Sequence, residues 1–327
     1  MSPRAVRIVA PSRLHFGLLA WGDEAPRQFG SVGLMIARPG LIIDASPSDR
    51  WAADGPLADR AASLLQHYAD ILGRDGIEVS PIRVTIRQAP PEHVGLGTGT
   101  GLSLAVARLV LHCRGETEPS TPRLVALSGR GRRSGIGLHG SALGGLIVDG
   151  GRSLSSAFPP LLARLTFPAD WSLLVVIPPT PPGLAGDREV EAFANLPGVT
   201  AAEIDRLCRL VLLELLPATA ERDLPAFGSA LSDLQVQIGL RFACIQGGLY
   251  AHSQLDAIVE QMRRLGLVGV GQSSWGPAIF GFSRHDPDKE AAILVTIRER
   301  FGLEAPAAFW TTASDQGSRI EPIDPKR

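Results

Sequence analysis

Four glycines fall on alternate positions in Pro91-Glu92-His93-Val94-Gly95-Leu96-Gly97-Thr98-Gly99-Thr100-Gly101, and a helical pattern starts directly behind them. No other stretch narrows the fold so far. Before it, Ile82, Val84 and Ile86 alternate with Arg83, Thr85 and Arg87, the pattern of a half-exposed strand. After it, Leu102, Ala105, Val106, Leu109, Val110 and Cys113 make one apolar stripe of an amphipathic helix. A strand, a glycine loop and a helix N-terminus in that order suit an anion. Unblocked N–H groups and the positive end of the helix dipole point the same way. The segment reads as a phosphate or pyrophosphate site, with a plain glycine-rich turn as the alternative. The P-loop spacing fails, since no Gly-Lys-Ser or Gly-Lys-Thr follows, and a dinucleotide fold lacks its acidic partner about twenty residues on.

The net charge of −1 offers no field for nucleic acid or an anionic membrane. A chain of 327 residues, 45% hydrophobic and 20% charged, has length for one large or two ordinary soluble domains. Cys113, Cys208 and Cys244 are widely spaced in apolar surroundings without a CxxC pair. They read as buried packing residues in a reducing compartment. Met1-Ser2-Pro3-Arg4 lacks the apolar run of a signal peptide, and no stretch approaches the roughly 18 apolar residues of a membrane span. A cytoplasmic protein is expected.

Strands are predicted at Val6 to Ala10, Leu14 to Leu19, Ser31 to Ala37 and Leu41 to Ala45, then a helix at Leu57 to Leu72. A short helix beyond Pro122 leads to Gly129-Arg130-Gly131-Arg132-Arg133-Ser134-Gly135-Ile136-Gly137-Leu138-His139-Gly140, followed by strands near Gly144 to Asp149 and Leu173 to Ile177. The proline-rich run from Pro178 to Gly186 changes the character of the chain. Helices dominate after it, at Glu189 to Leu216, Leu224 to Leu240 and His252 to Leu265. Strands at Leu267 to Val270 and Ala278 to Phe282, a helix near Asp288 to Phe301 and a strand near Ala307 to Thr312 close the pattern. The last dozen residues are polar and expected to fray. The whole fits an α+β protein of two closely joined lobes.

Three glycine-rich segments occur in order: Ala10-Pro11-Ser12-Arg13-Leu14-His15-Phe16-Gly17, the loop at 90–101, and Gly269-Val270-Gly271-Gln272-Ser273-Ser274-Trp275-Gly276-Pro277. That order resembles the GHMP kinase superfamily, whose central Pro-x-x-x-Gly-Leu-Gly-Ser-Ser loop wraps a nucleotide's phosphates. Here Pro91 to Thr100 is similar to it, with Thr98 and Thr100 where the kinases carry serines. The resemblance implies a ribosomal-S5-type N-terminal domain over residues 1–180 and a ferredoxin-like C-terminal domain over 181–327.

One departure stands out. Superfamily kinases often carry Pro-Ser-Gly-Ile-Asp, whose Asp is the base for the alcohol, and the similar stretch here is Arg133-Ser134-Gly135-Ile136-Gly137. A positioned base contributes about 10²–10⁴ in rate. Its replacement by Gly137 beside a retained phosphate loop points to different chemistry on a phosphorylated substrate. Ser12 to Leu18, Gly30 to Leu34, Gly131 to Gly140, Gly144 to Gly151 and Gln272 to Pro277 together resemble the β-ribofuranosylaminobenzene 5′-phosphate synthase family. That family is a decarboxylating pentosyltransferase of methanopterin biosynthesis. The resemblance implies condensation of phosphoribosyl pyrophosphate with 4-aminobenzoate, or a 4-hydroxybenzoate-like acid, with release of pyrophosphate and carbon dioxide. It also implies Mg²⁺ and a homodimer, with no nucleic-acid or membrane partner. No pyridoxal phosphate or thiamine motif is evident, so the substrate ring itself must serve as electron sink. The rival readings are an ATP-dependent small-molecule kinase and a silent binding protein on the same scaffold.

Within that reading, the N–H groups of Gly95, Gly97, Thr98, Gly99, Thr100 and Gly101, with the two threonine hydroxyls, would hold the departing diphosphate. Arg132, Arg133 and Ser134 would bind the 5′-phosphate or a carboxylate, whereas Arg130 alone reads as a solvated loop cation. Ser12, Arg13 and His15 would face the cleft, Arg13 and His15 on the same side by strand alternation. The catalytic candidates are His15, Arg133, His139 and Glu189. Gln272 or Ser273 would fix the amino group, Trp275 would stack on the ring, Gln246 would line the cleft, and Asp149 is the metal-ligand candidate.

Overall fold

The computed structural model describes residues 5–181, 183–184 and 186–323; the opening tetrapeptide and Pro182 of the proline-rich run lie outside them. The first lobe begins with two long antiparallel strands, β1 (Val6–Leu18) and β2 (Ser31–Pro47). The sequence reading divides each of them in two. Register shifts between Ala10 and Ser12 and between His15 and Gly17 explain why: bulges break the alternation without ending the strand. Then come β3 (Ala52–Asp54), α1 (Ala58–Arg74), β4 (Ile82–Gln88), α2 (Thr98–Cys113), α3 (Thr121–Ser128), α4 (Ile136–Leu143), β5 (Leu146–Asp149) and β6 (Leu161–Leu165). After β7 (Trp171–Val176) the helices α5 (Asp187–Asn195) and α6 (Ala201–Arg209) lead through a π-helical segment, Leu210–Leu215, to α7 (Leu216–Glu221). The remainder is α8 (Leu224–Gln246), α9 (Ser253–Arg264), β8 (Val268–Gln272), β9 (Ile279–Arg284), α10 (Pro287–Phe301), β10 (Ala308–Thr312) and β11 (Arg319–Pro322).

The strands form two sheets. In the seven-stranded sheet the order is β11-β1-β2-β4-β3, with β5 pairing β2 and β6 pairing β5. The four-stranded sheet, β10-β7-β9-β8, is antiparallel throughout. It has the strand order of a ferredoxin-like unit. Apolar residues of α9 and α10, among them Ile258, Met262, Ile293 and Ile297, pack with Leu174, Val176 and Ile279 of that sheet. Sheet membership changes at Trp171, and β11 returns to the first sheet. Leu14, Phe16 and Leu34 share one apolar cluster with Phe227 and Leu231 of α8 and Phe280 and Phe282 of β9. The lobes therefore meet through a continuous core, and burying each such side chain is worth about 1.5–3 kcal/mol.

Several expectations change. Every residue of α2 from Leu102 to Leu111 is buried, so the helix carries no solvent face. The first sheet, α1, α3 and α4 surround it. The predicted Glu189 to Leu216 helix breaks at Leu196-Pro197-Gly198, and Thr200 with Glu203 caps the restart. The polar tail is not wholly frayed, because Arg319–Pro322 pairs with β1. Cys113 is half-buried while Cys208 and Cys244 are exposed, so the buried-packing reading fails. On α6 Ile204 and Leu207 point inward, and Cys208 sits at the edge of that stripe, where it is exposed.

Candidate active site

A cavity of about 280 Å³ opens at the seam between the lobes. Its polar wall is Arg13 and His15 of β1, Arg130, Arg132, Arg133 and Ser134 of the arginine loop, and Glu189 of α5. Phe16, Phe193, Ile238, Phe242 and Leu249 supply the apolar wall. Arg13 and His15 do share one face, as strand alternation predicts. Glu189 is the only carboxylate among the described lining residues, against four guanidinium groups. An anionic ligand fits such a wall.

Each charge is held by its surroundings. Arg133 donates from Nη2 to Glu189 at 2.7 Å, and its guanidinium lies 5.1 Å from the Phe193 ring centroid. Its Nη1 is buried with no protein partner among the described residues. The same holds for Nη1 of Arg13, whose pKa burial pushes down to about 10 against the opposing pull of Glu189. Burial, then the positive charges of Arg13 and Arg133, drive the His15 pKa well below 6.5. His15 is therefore neutral near pH 7. Arg130 is no solvated loop cation: it lines the cavity, and burial lowers its pKa.

The glycine loop lies behind Arg13. Gly97 adopts φ 73° and ends the loop, and a β-carbon there would come within 2.6 Å of Arg13 Cγ. Thr98 and Gly99 head α2, but the N–H groups of Thr100 and Gly101 already donate to the Gly97 carbonyl at 3.0 and 2.9 Å. The loop's free donors are thus fewer than the sequence reading counted. Thr98 is buried and its hydroxyl donates to the Pro91 carbonyl at 2.8 Å, whereas Thr100 lines the main cavity. Ser12 lines a small void of about 20 Å³ with Gly97, Thr98 and Gly101. Gly137 also faces the main cavity, where a β-carbon would sit 2.9 Å from Thr100 Cγ2. A side chain there would crowd Thr100.

Other candidates serve the scaffold. His139 is buried beside Phe158, its Nε2 bonded to the Pro159 carbonyl at 2.9 Å, and does not line the cavity. Ser273 donates to the Gly95 carbonyl at 2.7 Å and accepts the His15 N–H at 3.0 Å, bolting the third glycine segment to the first two. Gln272 lines the cavity, but its amide is spent on the Ala251 N–H and the Ser274 carbonyl. Trp275 borders the cavity with one face stacked on Phe242 at 4.4 Å, so it has at most its remaining surface for a ligand. Gln246 donates from Nε2 to the carbonyls of Gly248 and Leu249, and its Oε1 is buried at the cavity wall with no protein partner among the described residues.

Asp149 does not suit a metal. It is fully buried, and its oxygens accept from Ser31 and from the N–H groups of Gly135 and Gly151. No group of three or more His, Cys, Asp or Glu side chains able to hold a metal ion occurs among the described residues. The sequence reading missed two residues, one beside the glycine loop and one on the cavity wall. Arg60 of α1 lies over Gly99 and pairs with Glu92. Gln235 of α8 accepts the Gln272 N–H at 2.8 Å and donates to the Phe16 carbonyl, joining the lobes at the cavity. Neither has a local signature, since its partners are distant in sequence.

Comparison with known proteins agrees with this architecture. Residues 215–301 match the family described as GHMP kinases C terminal. The chain is 32% identical over 308 residues to the beta-ribofuranosylphenol 5′-phosphate synthase of Methanothermobacter thermautotrophicus, covering 89% of this chain and 92% of that one. It is also 32% identical to the enzyme of that name from Archaeoglobus fulgidus, covering 97% and 99%. The phosphomevalonate kinase of Streptococcus pneumoniae shares the fold, with a TM-score of 0.70, 13% identity, and 95% and 100% coverage. No helix among the described residues is long and apolar enough to cross a membrane.

Proposed function

Because this chain belongs to the beta-ribofuranosylphenol 5′-phosphate synthase family, we propose that it joins an activated ribose phosphate to a para-substituted benzoate. The substrates in this reading are phosphoribosyl pyrophosphate and 4-hydroxybenzoate or 4-aminobenzoate. The phenol in the relatives' name favours the hydroxyl acid. A ring carbon bonds to the anomeric carbon, pyrophosphate leaves, and carbon dioxide departs from the same ring carbon.

The observation that carries the reading is the cavity's charge. Arg13, Arg130, Arg132 and Arg133 face one carboxylate, already paired, and a neutral imidazole. Such a wall receives a sugar bearing phosphate and diphosphate, then a carboxylate, far better than a neutral alcohol. Fixed guanidinium donors stabilise charge that develops on the leaving diphosphate. Phe193, Phe242 and Leu249 exclude water beside the ring, which favours loss of carbon dioxide from a carboxylate drawn out of solvent. Gly137 stands where the superfamily kinases carry the carboxylate base for their alcohol. Magnesium, in this reading, enters as the counter-ion of the diphosphate and not as a protein-held centre.

The test uses carboxyl-labelled 4-hydroxybenzoate or 4-aminobenzoate with phosphoribosyl pyrophosphate and Mg²⁺, and counts labelled gas and pyrophosphate. Equal amounts of both are expected, without ATP. Folded protein that releases neither, yet forms ADP from ATP and a small alcohol, would be a kinase.

A further inference from the structure

Asp149 lies outside the cavity but is linked to it by two hydroxyls. Its Oδ2 accepts from Ser31 Oγ and from the Gly135 N–H at 2.8 Å, and its Oδ1 accepts from the Gly151 N–H at 2.9 Å. Ser31 Oγ is 2.8 Å from Ser134 Oγ, and Ser134 lines the cavity. The Ser134 oxygen also accepts the Ile136 N–H at 3.2 Å.

The directions of these bonds follow from the carboxylate. An ionised carboxylate only accepts, so Ser31 donates to Asp149 and Ser134 donates to Ser31. With its proton turned inward and one lone pair on Ile136, Ser134 presents an acceptor to the cavity. A proton on Asp149 reverses every bond, and Ser134 then turns its O–H outward. The chain moves one proton between cavity and carboxylate without displacing a heavy atom. Burial holds the Asp149 pKa above its ordinary value, against the pull of its three hydrogen bonds and of nearby His139, so the carboxylate can keep that proton for a time.

The charged and titratable groups of the wall do not offer this. Guanidinium groups only donate, and Glu189 is occupied by Arg133. His15 would have to take on a positive charge in a buried place beside Arg13 and Arg133. Gln246 Oε1 accepts a hydrogen bond, but an amide oxygen is too weak a base to remove a proton.

We propose that Ser134, backed by Ser31 and Asp149, removes and later returns the proton of the substrate's hydroxyl or amino group para to its carboxylate. The proposal rests on the function proposed above. As the ring carbon bonds to the anomeric carbon and the bond to diphosphate breaks, electrons flow from the para atom into the ring, and its proton becomes acidic. That proton passes to Ser134 while the proton of Ser134 goes to Ser31 and that of Ser31 to Asp149. A dienone, or its imine, remains, with the carboxylate still on the newly bonded ring carbon. Loss of carbon dioxide returns the electron pair to the ring, the para atom recovers its proton, and Asp149 is ionised again. Ser134 touches the substrate; Ser31 and Asp149 are positioning residues.

Binding of 4-hydroxybenzoate to the full chain, followed by the phenol-to-phenolate absorbance change, reads this contact without turnover. With Asp149 ionised, Ser134 accepts from the phenol and holds its proton, so the bound phenol should ionise about one pH unit higher in the wild type than in Ser134→Ala or Ser31→Ala. In the labelled-gas assay, Ser134→Ala should lower kcat about 10²–10⁴-fold, with KM for phosphoribosyl pyrophosphate nearly unchanged. Ser134→Thr, which keeps the hydroxyl, should recover most of kcat and so separates proton transfer from misfolding. Equal ionisation midpoints in all three proteins, or wild-type kcat in folded Ser31→Ala, overturn the proposal. Intact ionisation differences beside a wild type that releases no gas would count against the proposed reaction and support the proton path.

Discussion

Two glycine-rich segments of this protein open a helix N-terminus, and they are built to opposite ends. In the glycine loop at 90–101 the side chains turn inward: Thr98 bonds Pro91, and Ser273 from the other lobe bonds the Gly95 carbonyl. What remains to meet a ligand is Thr100 and the backbone at the head of α2. In the arginine loop at 129–140 the backbone is the anchored part, held through Gly135 to Asp149, and the side chains of Arg130, Arg132, Arg133 and Ser134 face the cavity. Glycine content alone does not separate the two. The difference lies in where each loop's hydrogen bonds are spent.

Arg133→Ala tests that contrast most severely. It removes a guanidinium from the cavity and leaves Glu189 unpaired, so kcat/KM should fall about 10²–10³-fold by pyrophosphate release. A loss below about fivefold would mean that the arginine loop is scaffold. Gly97→Ala attacks the other loop. A β-carbon there meets Arg13 and forces φ 73° on an L-residue, so about 1–2 kcal/mol of stability and roughly tenfold in kcat/KM should go together. Denaturant titration beside the assay would show whether the two losses separate.

His15 offers a pH test. Its folded pKa is depressed below 6.5, so the unfolded chain binds a proton that the folded chain refuses. Stability is full above that range and falls as pH drops through 6.5 toward the folded value. Between pH 7 and pH 5 the wild type should lose about 1–2 kcal/mol more than His15→Gln in urea titrations. Parallel curves would show the imidazole to be more exposed than the cavity suggests. The smallest effects belong to residues turned away from the ligand. Thr98→Val and His139→Asn should each cost about 1 kcal/mol of stability with kcat/KM within roughly twofold of wild type. A larger kinetic loss in either would erase the distinction between the inward-turned groups and the cavity wall.

Much of this was legible beforehand because it is local. Strand alternation at Ile82–Gln88, the helix behind the glycines and the faces of Arg13 and His15 depend on near neighbours along the chain. Gly137 in place of a carboxylate needed only the resemblance. Reading failed where a residue's partner is remote. The solvent face expected of α2 vanished because sheet and helices enclose it. Asp149 lost its metal role because Ser31, more than a hundred residues away, donates to it. Cys208 and Cys244 are exposed although both helices bury apolar neighbours, because burial depends on what packs against each position.

From the amino acids alone came the type of each long element, the loop that presents backbone donors to an anion, and the supply of arginines for a charged substrate. These follow from short-range periodicity and from the chemistry of single side chains. Which arginines share a cavity, which histidine is neutral and which hydroxyl is tied to a carboxylate emerged only when the lobes packed. Burial and hydrogen-bond partnership are properties of neighbours in space, and folding alone assigns them.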